Sequence, residues 1–147
     1  MMTQKFNICF IMIVLMTTGF VAAADFTDNG DSTVTDNTTR LIWQQQDDDG
    51  TRIWIEALSY CEGLSLASNS DWRLPNIREL ESIVNASTSS PAINSTYFPN
   101  TNSSTYWSST PNAPNSGHAW FVSFSDGRVS YSGKSGSYYV RCVRGGD

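Results

Sequence analysis

The chain has little of the chemistry that enzymes and nucleic-acid-binding proteins use. Its 147 residues include one histidine, three cysteines and nine Lys+Arg against 14 Asp+Glu, for a net charge of −5 at pH 7. The excess of acidic residues argues against a nucleic-acid partner, because phosphate backbones require clustered Lys and Arg. With a single histidine, His118, and no G-x-S-x-G motif, the sequence supports no nucleophile and base pair. We therefore expect a protein that is not an enzyme.

The longest apolar run lies at the start of the chain. Lys5 precedes a mostly apolar stretch from Ile8 to Val21, and three alanines follow it, ending at Ala24. This order of positive, apolar and small residues is typical of a secretory signal peptide, so we predict that residues 1–24 are cleaved off. An uncleaved membrane anchor is the alternative, since the run is only slightly short of the ~20 residues that span a bilayer. After cleavage, residues 25–147 are expected to form one exported domain without a membrane segment.

Cleavage would leave two of the three cysteines, Cys61 and Cys142. An even pair in an exported domain most simply forms a disulfide. Two buried free thiols are the alternative.

Three patterns in the first half of the chain predict secondary structure. Asn29-Gly30 is typical of a tight turn and indicates a hairpin within residues 25–43. Apolar residues at helical spacing predict a helix over 51–64 and a second helix over 77–84. Asn76 and Glu79 have the spacing of a capping box at the start of the second helix. Inward-facing positions of the hairpin are predicted to be Val34, Leu41 and Trp43.

The second half of the chain is predicted to be a polar loop followed by strands. Residues 85–116 are rich in Ser, Thr, Asn and Pro, but spaced aromatic residues favour an ordered loop packed on the core over a disordered one. Strands are predicted over 119–124, 128–131 and 138–144, with a tight turn at Asp126-Gly127. The whole pattern predicts an α+β domain in which two helices pack on an antiparallel sheet.

Local folding rules do not explain several ordered blocks of residues in the chain. They are Asp28-Asn29-Gly30-Asp31, Leu41-Ile42-Trp43, Asp71-Trp72-Arg73-Leu74-Pro75, Tyr106-Trp107-Ser108-Ser109-Thr110 and Val140-Arg141-Cys142-Val143-Arg144. In these blocks the chain resembles the Lcl C-terminal domain family. The resemblance implies a bacterial extracellular module with a C-type-lectin-like fold, distantly like the fold of formylglycine-generating enzymes. It also leads us to expect glycine at positions 32 and 40, where this chain has Ser32 and Arg40, and a glycine turn at Ala67-Ser68-Asn69.

The resemblance extends to the cysteines, the ligand and the assembly. A C-type-lectin-like fold joins its first helix to its last strand, which favours a Cys61–Cys142 disulfide. Formylglycine-generating enzymes need active-site cysteines that a bridged pair does not supply. The family's namesake is a collagen-like adhesin that binds sulfated glycans, and this implies a homotrimer, although the chain has no collagen tract to support one. The expected destination is the periplasm, the cell surface or the medium of a bacterium.

A sugar site without metal needs aromatic faces flanked by amide, hydroxyl or cationic groups. The C-terminal hairpins carry such residues, and we expect them to gather into one patch with two cations for a sulfate or carboxylate. The alternative is a solvated sheet edge whose tyrosines cover the core. The five tryptophans are predicted to lie in the core. The predicted ligand-binding residues are Arg128, Tyr131, Lys134, Tyr138 and Tyr139.

Calcium is a weaker candidate. Asp28, Asp31 and Asp36 lie in one turn-rich stretch, but their spacing fits no EF-hand loop and aspartates also simply favour turns. The metal-linked sugar motifs of C-type lectins are absent from the sequence. We expect no cofactor, with a structural calcium ion as an open alternative.

These observations together predict an exported, non-enzymatic binding or adhesion module that recognises extracellular glycans. The alternative is a protein-interaction or structural subunit of a surface or periplasmic assembly without a sugar site. That alternative predicts a contiguous apolar patch in the long polar loop.

Overall fold

The computed structural model describes residues 25–146, which form two β-sheets and two helices. The predicted signal peptide, residues 1–24, lies outside the described residues. In chain order the elements are β1 (Phe26–Asp28), β2 (Thr33–Asp36), β3 (Ile42–Gln44), β4 (Thr51–Arg52), α1 (Trp54–Glu62), α2 (Ile77–Ser82), β5 (Thr105–Pro111), β6 (His118–Ser123), β7 (Arg128–Gly133), β8 (Tyr138–Tyr139) and β9 (Val143–Arg144). The predicted α+β class is confirmed. Neither helix is long and apolar enough to cross a membrane.

The strands form two sheets, where the sequence predicted one. The first has the order β1-β2-β3-β9 and the second the order β4-β8-β5-β6-β7. Neighbouring strands are antiparallel except β5 and β8, which run parallel where Tyr106 pairs with Tyr139. The predicted N-terminal hairpin is present as β1 and β2, and its expected inward residues Val34, Leu41 and Trp43 are buried.

Helix α1 begins three residues later than predicted. Thr51 and Arg52 directly precede the apolar residues at helical spacing, but they pair as a strand with Tyr139 and Tyr138. Ile53 is extended and offers no side-chain cap, and the backbone N–H of Trp54 donates to the carbonyl of Lys134 instead. The pairing with β8 therefore overrides the local periodicity, which is a tertiary effect that a single segment cannot reveal.

Helix α2 begins as predicted. Asn76 Oδ1 accepts a hydrogen bond from the backbone N–H of Glu79 at 2.9 Å, and the Glu79 carboxylate accepts one from the N–H of Asn76 at 2.8 Å. This reciprocal pair is the capping box. The helix ends at Ser82 rather than at Val84, because Val84 forms a bridge with Ile93.

The predicted final strand is broken into two. Tyr138 and Tyr139 belong to the second sheet, whereas Val143 and Arg144 belong to the first. The crossing between the sheets is buried and carries the predicted disulfide, Cys61–Cys142, which is confirmed. The bridge spans 81 residues and joins α1 to the crossing. In the chain-entropy model a loop of this length adds about 4.5 kcal/mol to the free energy of unfolding.

The second sheet is covered on both faces. Consecutive residues of a strand point to opposite faces, and here Phe121 and Val122 belong to different core clusters, as do Trp107 and Tyr106. One core lies between the sheets and α2, with Leu80 and Phe98 among its members. The other lies under α1 and contains the disulfide.

The long polar segment packs on the first of these cores. Phe98 and Ile93 are buried, and the backbone N–H of Ala92 donates to the carbonyl of Phe124 at 2.6 Å. These anchors tie the polar segment to the end of β6.

The positions where glycine was expected have left-handed backbone conformations. Ser32 has φ 69°, Arg40 φ 64°, Ala67 φ 51° and Ser68 φ 60°. Such angles favour glycine, yet this chain has Ser, Arg, Ala and Ser at these four positions.

Candidate functional site

The loop between β5 and β6 builds the wall of a cleft. The strand register shifts between Trp107 and Pro111, so the end of β5 bends away from regular pairing. The loop that follows is fixed by its own backbone: Asn112 N–H donates to the carbonyl of His118, and His118 N–H donates to the carbonyl of Asn115. A rigid polar loop therefore stands beside the outer strands of the sheet.

The floor of the cleft is a pair of aromatic side chains. Trp120 on β6 lies directly opposite Tyr131 on β7, so both side chains point to the same face of the sheet. Their rings meet edge to face, with centroids 5.3 Å apart and an angle of 76°. Trp120 is half-buried and Tyr131 is 51% exposed. Two aromatic surfaces are thus held in fixed positions and remain open to a ligand.

The cleft has a volume of about 520 Å³, within the roughly 300–1,000 Å³ common for small-molecule sites. Its lining carries hydroxyl, amide and ring groups and no charged side chain. We call it the aromatic cleft and define it by Thr110, Asn112, Pro114, Asn115, Trp120 and Tyr131.

One polar group of the aromatic cleft has no partner. Asn112 is only 5% exposed, and its side-chain oxygen Oδ1 is buried without a hydrogen bond. A buried acceptor left unsatisfied costs about 1–3 kcal/mol, so native proteins rarely keep one without a reason.

His118 Nδ1, next to the aromatic cleft, is also buried without a partner. The imidazole ring of His118 contacts the ring of Tyr131, with centroids 5.9 Å apart. The His118 ring therefore helps to hold the Tyr131 ring in place.

The structure brings one of the five predicted ligand residues, Tyr131, into the aromatic cleft. Tyr138 and Tyr139 are partly buried and face opposite cores: the Tyr138 ring packs on Trp107, and the Tyr139 ring stacks on Tyr106. The Tyr138 hydroxyl donates to Ser132 Oγ at 2.9 Å. These two tyrosines therefore serve mainly in packing, as the alternative interpretation of the sequence proposed.

The two predicted cations are not together. Arg128 starts β7 and Lys134 follows its end, six residues later, a separation of about 20 Å along a strand. The Lys134 ammonium lies over the ring of Trp54, with Nζ 4.1 Å from the ring centroid. Arg128 lies beside Asp126, whose carboxylate accepts a hydrogen bond from the Arg128 backbone N–H.

The sequence did not identify Trp120 and Asn112 as residues of a candidate site. All five tryptophans were predicted to be core, and the structure places Trp43, Trp72 and Trp107 there, whereas Trp54 and Trp120 are half-buried. Strand alternation groups Trp120 with the buried Val122, but alternation says nothing about where along the strand the core ends. For Asn112 there was no sequence signal, since an amide in an Asn-rich loop is unremarkable.

The three aspartates considered for calcium each support a local turn. Asp28 accepts from the N–H of Gly30, Asp31 from the N–H and hydroxyl of Thr33, and Asp36 from the backbone of Thr38. Within residues 25–146, no group of three or more His, Cys, Asp or Glu side chains is arranged to hold a metal ion.

A second cavity of about 330 Å³ lies between the β1–β2 hairpin and the end of α2, lined by Asp36, Ser82 and Asn85 among others. Its aromatic side chain, Phe26, already packs against Tyr97 and Phe98. The aromatic cleft is therefore the better candidate for a ligand site.

Comparison with known proteins supports the resemblance seen in the sequence. The sequence model described as Lcl C-terminal domain matches residues 32–144, which include all of the aromatic cleft. No curated protein matches the chain. Because the match covers far more than half of the 147 residues, the chain belongs to the Lcl C-terminal domain family, whose membership indicates a surface or adhesion-related module.

Proposed function

We propose that this protein is an exported, non-enzymatic adhesion module that binds extracellular glycans in the aromatic cleft, on a scaffold of the C-type-lectin-like kind. The observation that carries the proposal is the Trp120–Tyr131 pair, which offers ring surfaces in a concave site lined by amide and hydroxyl side chains. Pyranose rings have apolar CH-rich faces that stack on aromatic rings, and hydroxyls that pair with amides.

Export is supported by the disulfide. Disulfides persist in oxidising compartments such as the periplasm or the exterior and are rare in the cytosol, and Cys61–Cys142 links the two halves of the fold. Together with the predicted signal peptide, this favours a periplasmic, surface or secreted destination. A homotrimer, which the family resemblance implies, would strengthen binding that is weak at each single site.

The protein-interaction alternative has less support. It predicted a contiguous apolar patch in the long polar loop. Among residues 25–146, the large hydrophobic side chains that are exposed are Ile55 and Tyr131, and neither lies in residues 85–116. Ile55 lies on α1 and Tyr131 on β7, so they belong to different elements.

A glycan array tests the proposal. The full chain is exported to the periplasm of a bacterial host, so that the disulfide forms, and is probed against neutral and sulfated glycans with calcium and with a chelator. We expect selective binding that survives chelation. Replacing Trp120 or Tyr131 by alanine should weaken it about tenfold, equivalent to about 1.4 kcal/mol, because each removes one stacking surface.

Arg128→Ala is the matched control, since Arg128 lies on the same strand as Tyr131 but outside the aromatic cleft. Circular dichroism confirms that each variant is folded. Unchanged binding in both aromatic variants, or an equal loss in Arg128→Ala, would refute the cleft as the site. Absence of binding to every glycan would make a protein partner the leading explanation.

A further inference from the structure

We propose that the outer edge of strand β7 binds an extended segment of another protein by strand addition, and that this segment carries an acidic residue at each end and an apolar residue midway. The inference does not depend on glycan binding. It concerns the edge of the second sheet, whereas the aromatic cleft lies on the face of that sheet. The two surfaces are neighbours, because Tyr131 belongs to both.

Strand β7 ends the second sheet and pairs with β6 alone. Its six residues are all exposed or half-buried. They pair one to one with β6, from Arg128 opposite Ser123 to Gly133 opposite His118, without a bulge or a proline. Native proteins commonly shorten, bend or block such an edge, because an open one recruits other strands. The strand at the other edge of the sheet, β4, has only two residues, so β7 is the edge that invites a partner.

The pairing with β6 identifies the backbone groups that face outward. Lys134 continues the register opposite Gly117 and donates its N–H to the Gly117 carbonyl. Hydrogen-bonded and non-hydrogen-bonded pairs alternate along an antiparallel ladder, so Val129 and Tyr131 direct their N–H and C=O groups away from β6. Within the part of the chain that the structure describes, these groups have no backbone partner. They can therefore hydrogen-bond to an added strand.

Two cations flank this edge. Of the eight Lys and Arg side chains in the described chain, five are in salt bridges, which leaves three. Two of the three are Arg128, which starts β7, and Lys134, which directly follows it. The Lys134 ammonium lies over the ring of Trp54, a contact that holds the charge without neutralising it. Asp126 lies beside Arg128, so Lys134 exerts the stronger attraction on an acidic partner.

The spacing along β7 defines the sequence of the partner. Successive residues of a strand point to opposite faces, so Arg128 and Lys134 share one face and Tyr131, midway between them, points to the other. A strand that pairs residue for residue with β7 needs acidic side chains opposite the two cations and an apolar side chain opposite the half-exposed Tyr131 ring. This pattern is symmetrical, so it holds for a parallel or an antiparallel partner.

A second copy of β7 fits this edge less well. Pairing two copies about Tyr131 places Arg128 of one copy opposite Lys134 of the other. Like charges directly opposite each other destabilise a strand pair. The charge of the edge therefore favours an acidic segment of a different protein.

The test uses the full chain, exported to a bacterial periplasm so that the disulfide forms, and a synthetic peptide with blocked ends. The peptide has glutamate at both ends, valine in the middle and two threonines on each side of the valine. By NMR titration we expect it to bind at least about fivefold more tightly than the same peptide with lysine in place of glutamate. The difference should shrink at high salt. Equal binding of the two peptides, or no binding of either, would overturn the proposal.

The backbone contacts are tested on the peptide, so the result does not depend on how a protein variant folds. One peptide is N-methylated at the valine and a second at the threonine next to it. Alternate N–H groups of an added strand face β7 and solvent, so one of the two should lose about tenfold in affinity and the other should change little. Equal effects in the two peptides would refute strand addition.

Lys134→Glu tests the charge of the edge. It should weaken binding of the glutamate peptide and strengthen binding of the lysine peptide, each by about fivefold. Arg40→Glu is the matched control, since it changes the net charge equally but lies between β2 and β3, in the other sheet. It should change either affinity by less than about twofold. Similar effects of the two substitutions would show that Lys134 does not contact the peptide.

Val129→Pro tests the edge from the protein side. It removes an outward N–H and breaks no hydrogen bond to β6, and proline is tolerated on edge strands. We expect about a tenfold loss of peptide affinity. Val129→Ala, which shortens the same side chain but keeps the N–H, is the control, and an equal loss in both would refute the edge contact. Dimerisation of the native chain in sedimentation that Val129→Pro abolishes would assign the edge to a second copy and overturn the acidic partner.

Discussion

At the scale of single residues, Arg141 is a fully buried cation held by several hydrogen bonds. It is fully buried, its guanidinium donates to the carbonyls of Gln44 and Gln45 and to Asp47, and Asp47 accepts a further hydrogen bond from Tyr106. Burial lowers the pKa of Arg141, and the neighbouring Asp47 carboxylate opposes this shift. The pair holds the loop after β3 against the crossing between the two sheets.

Replacing Arg141 by methionine should lower the free energy of unfolding by about 3–5 kcal/mol, because the buried Asp47 carboxylate loses its counter-ion. Denaturant titration measures this loss. Arg78→Ala is the matched control: its salt bridge with Glu81 is largely exposed and should contribute about 0–1 kcal/mol. Similar losses in the two variants would show that Arg141 is not the anchor described above.

At the residue scale, the sequence predicted the site residues only in part. Tyr131 was predicted as a ligand residue and lies in the aromatic cleft, but Tyr138 and Tyr139 were grouped with it because the C-terminal hairpins were expected to bring them into one patch. Adjacent residues on a strand face opposite sides, and the structure assigns these two to different cores. Whether an aromatic residue is open or covered depends on what packs over it, and one strand does not contain that information.

At the scale of elements, the turn of the β6–β7 hairpin packs closely against the residues after α2. Gly127 in its turn has φ +77°, and a Cβ at this position would lie 2.8 Å from Cγ1 of Val84, just beyond α2. Both the backbone conformation and the close approach require glycine.

Gly127→Ala should therefore lower the free energy of unfolding by about 1 kcal/mol for the left-handed conformation and by about 1–3 kcal/mol more for the clash. Gly30 gives a matched control, since its φ is +73° but a Cβ there would meet nothing within 4 Å. Thermal or denaturant unfolding should show the larger loss at Gly127. Equal losses at the two positions would mean that the hairpin turn does not pack on Val84 as the structure shows.

Elements with strong local signals were predictable, and elements made by tertiary pairing were not. The capping box fixed the start of α2, and Asn29-Gly30 identified the first hairpin. In contrast, β4 displaced the expected first turn of α1, and the expected last strand split at its buried crossing. Both errors arise where β8 pairs with partners distant in sequence, because such pairing is decided by the whole sheet.

At the scale of the whole molecule, ionisable groups should lower the free energy of unfolding at both low and high pH. Burial alone would raise the pKa of Glu79, but hydrogen bonds from Arg73 and from the Asn76 backbone outweigh it, so the pKa is lowered. The hydrogen bond from Arg52 likewise lowers the pKa of Asp48. Burial raises the pKa of Tyr106 well above its usual range.

A lowered carboxyl pKa contributes stability that is present above the unfolded value, near pH 4, and is lost as pH falls through the folded value. A raised tyrosine pKa contributes stability that is present below about pH 10 and is lost above it. The free energy of unfolding should thus be nearly constant between about pH 5 and 9 and decline on both sides. Urea titrations across this range measure it. Stability that rises below pH 4 would contradict the lowered carboxyl pKa values.

The central claim, that the aromatic cleft binds glycans, is tested most directly by mapping the contact. The isotopically labelled chain is titrated with the oligosaccharide that binds best on the array, and amide and indole chemical shifts are followed by NMR. We expect the largest changes at Asn112, Asn115, Tyr131 and the Trp120 indole, and little change at Arg128. Changes confined to the cavity beside Asp36 and Asn85, or to the Arg128 end of β7, would contradict the account.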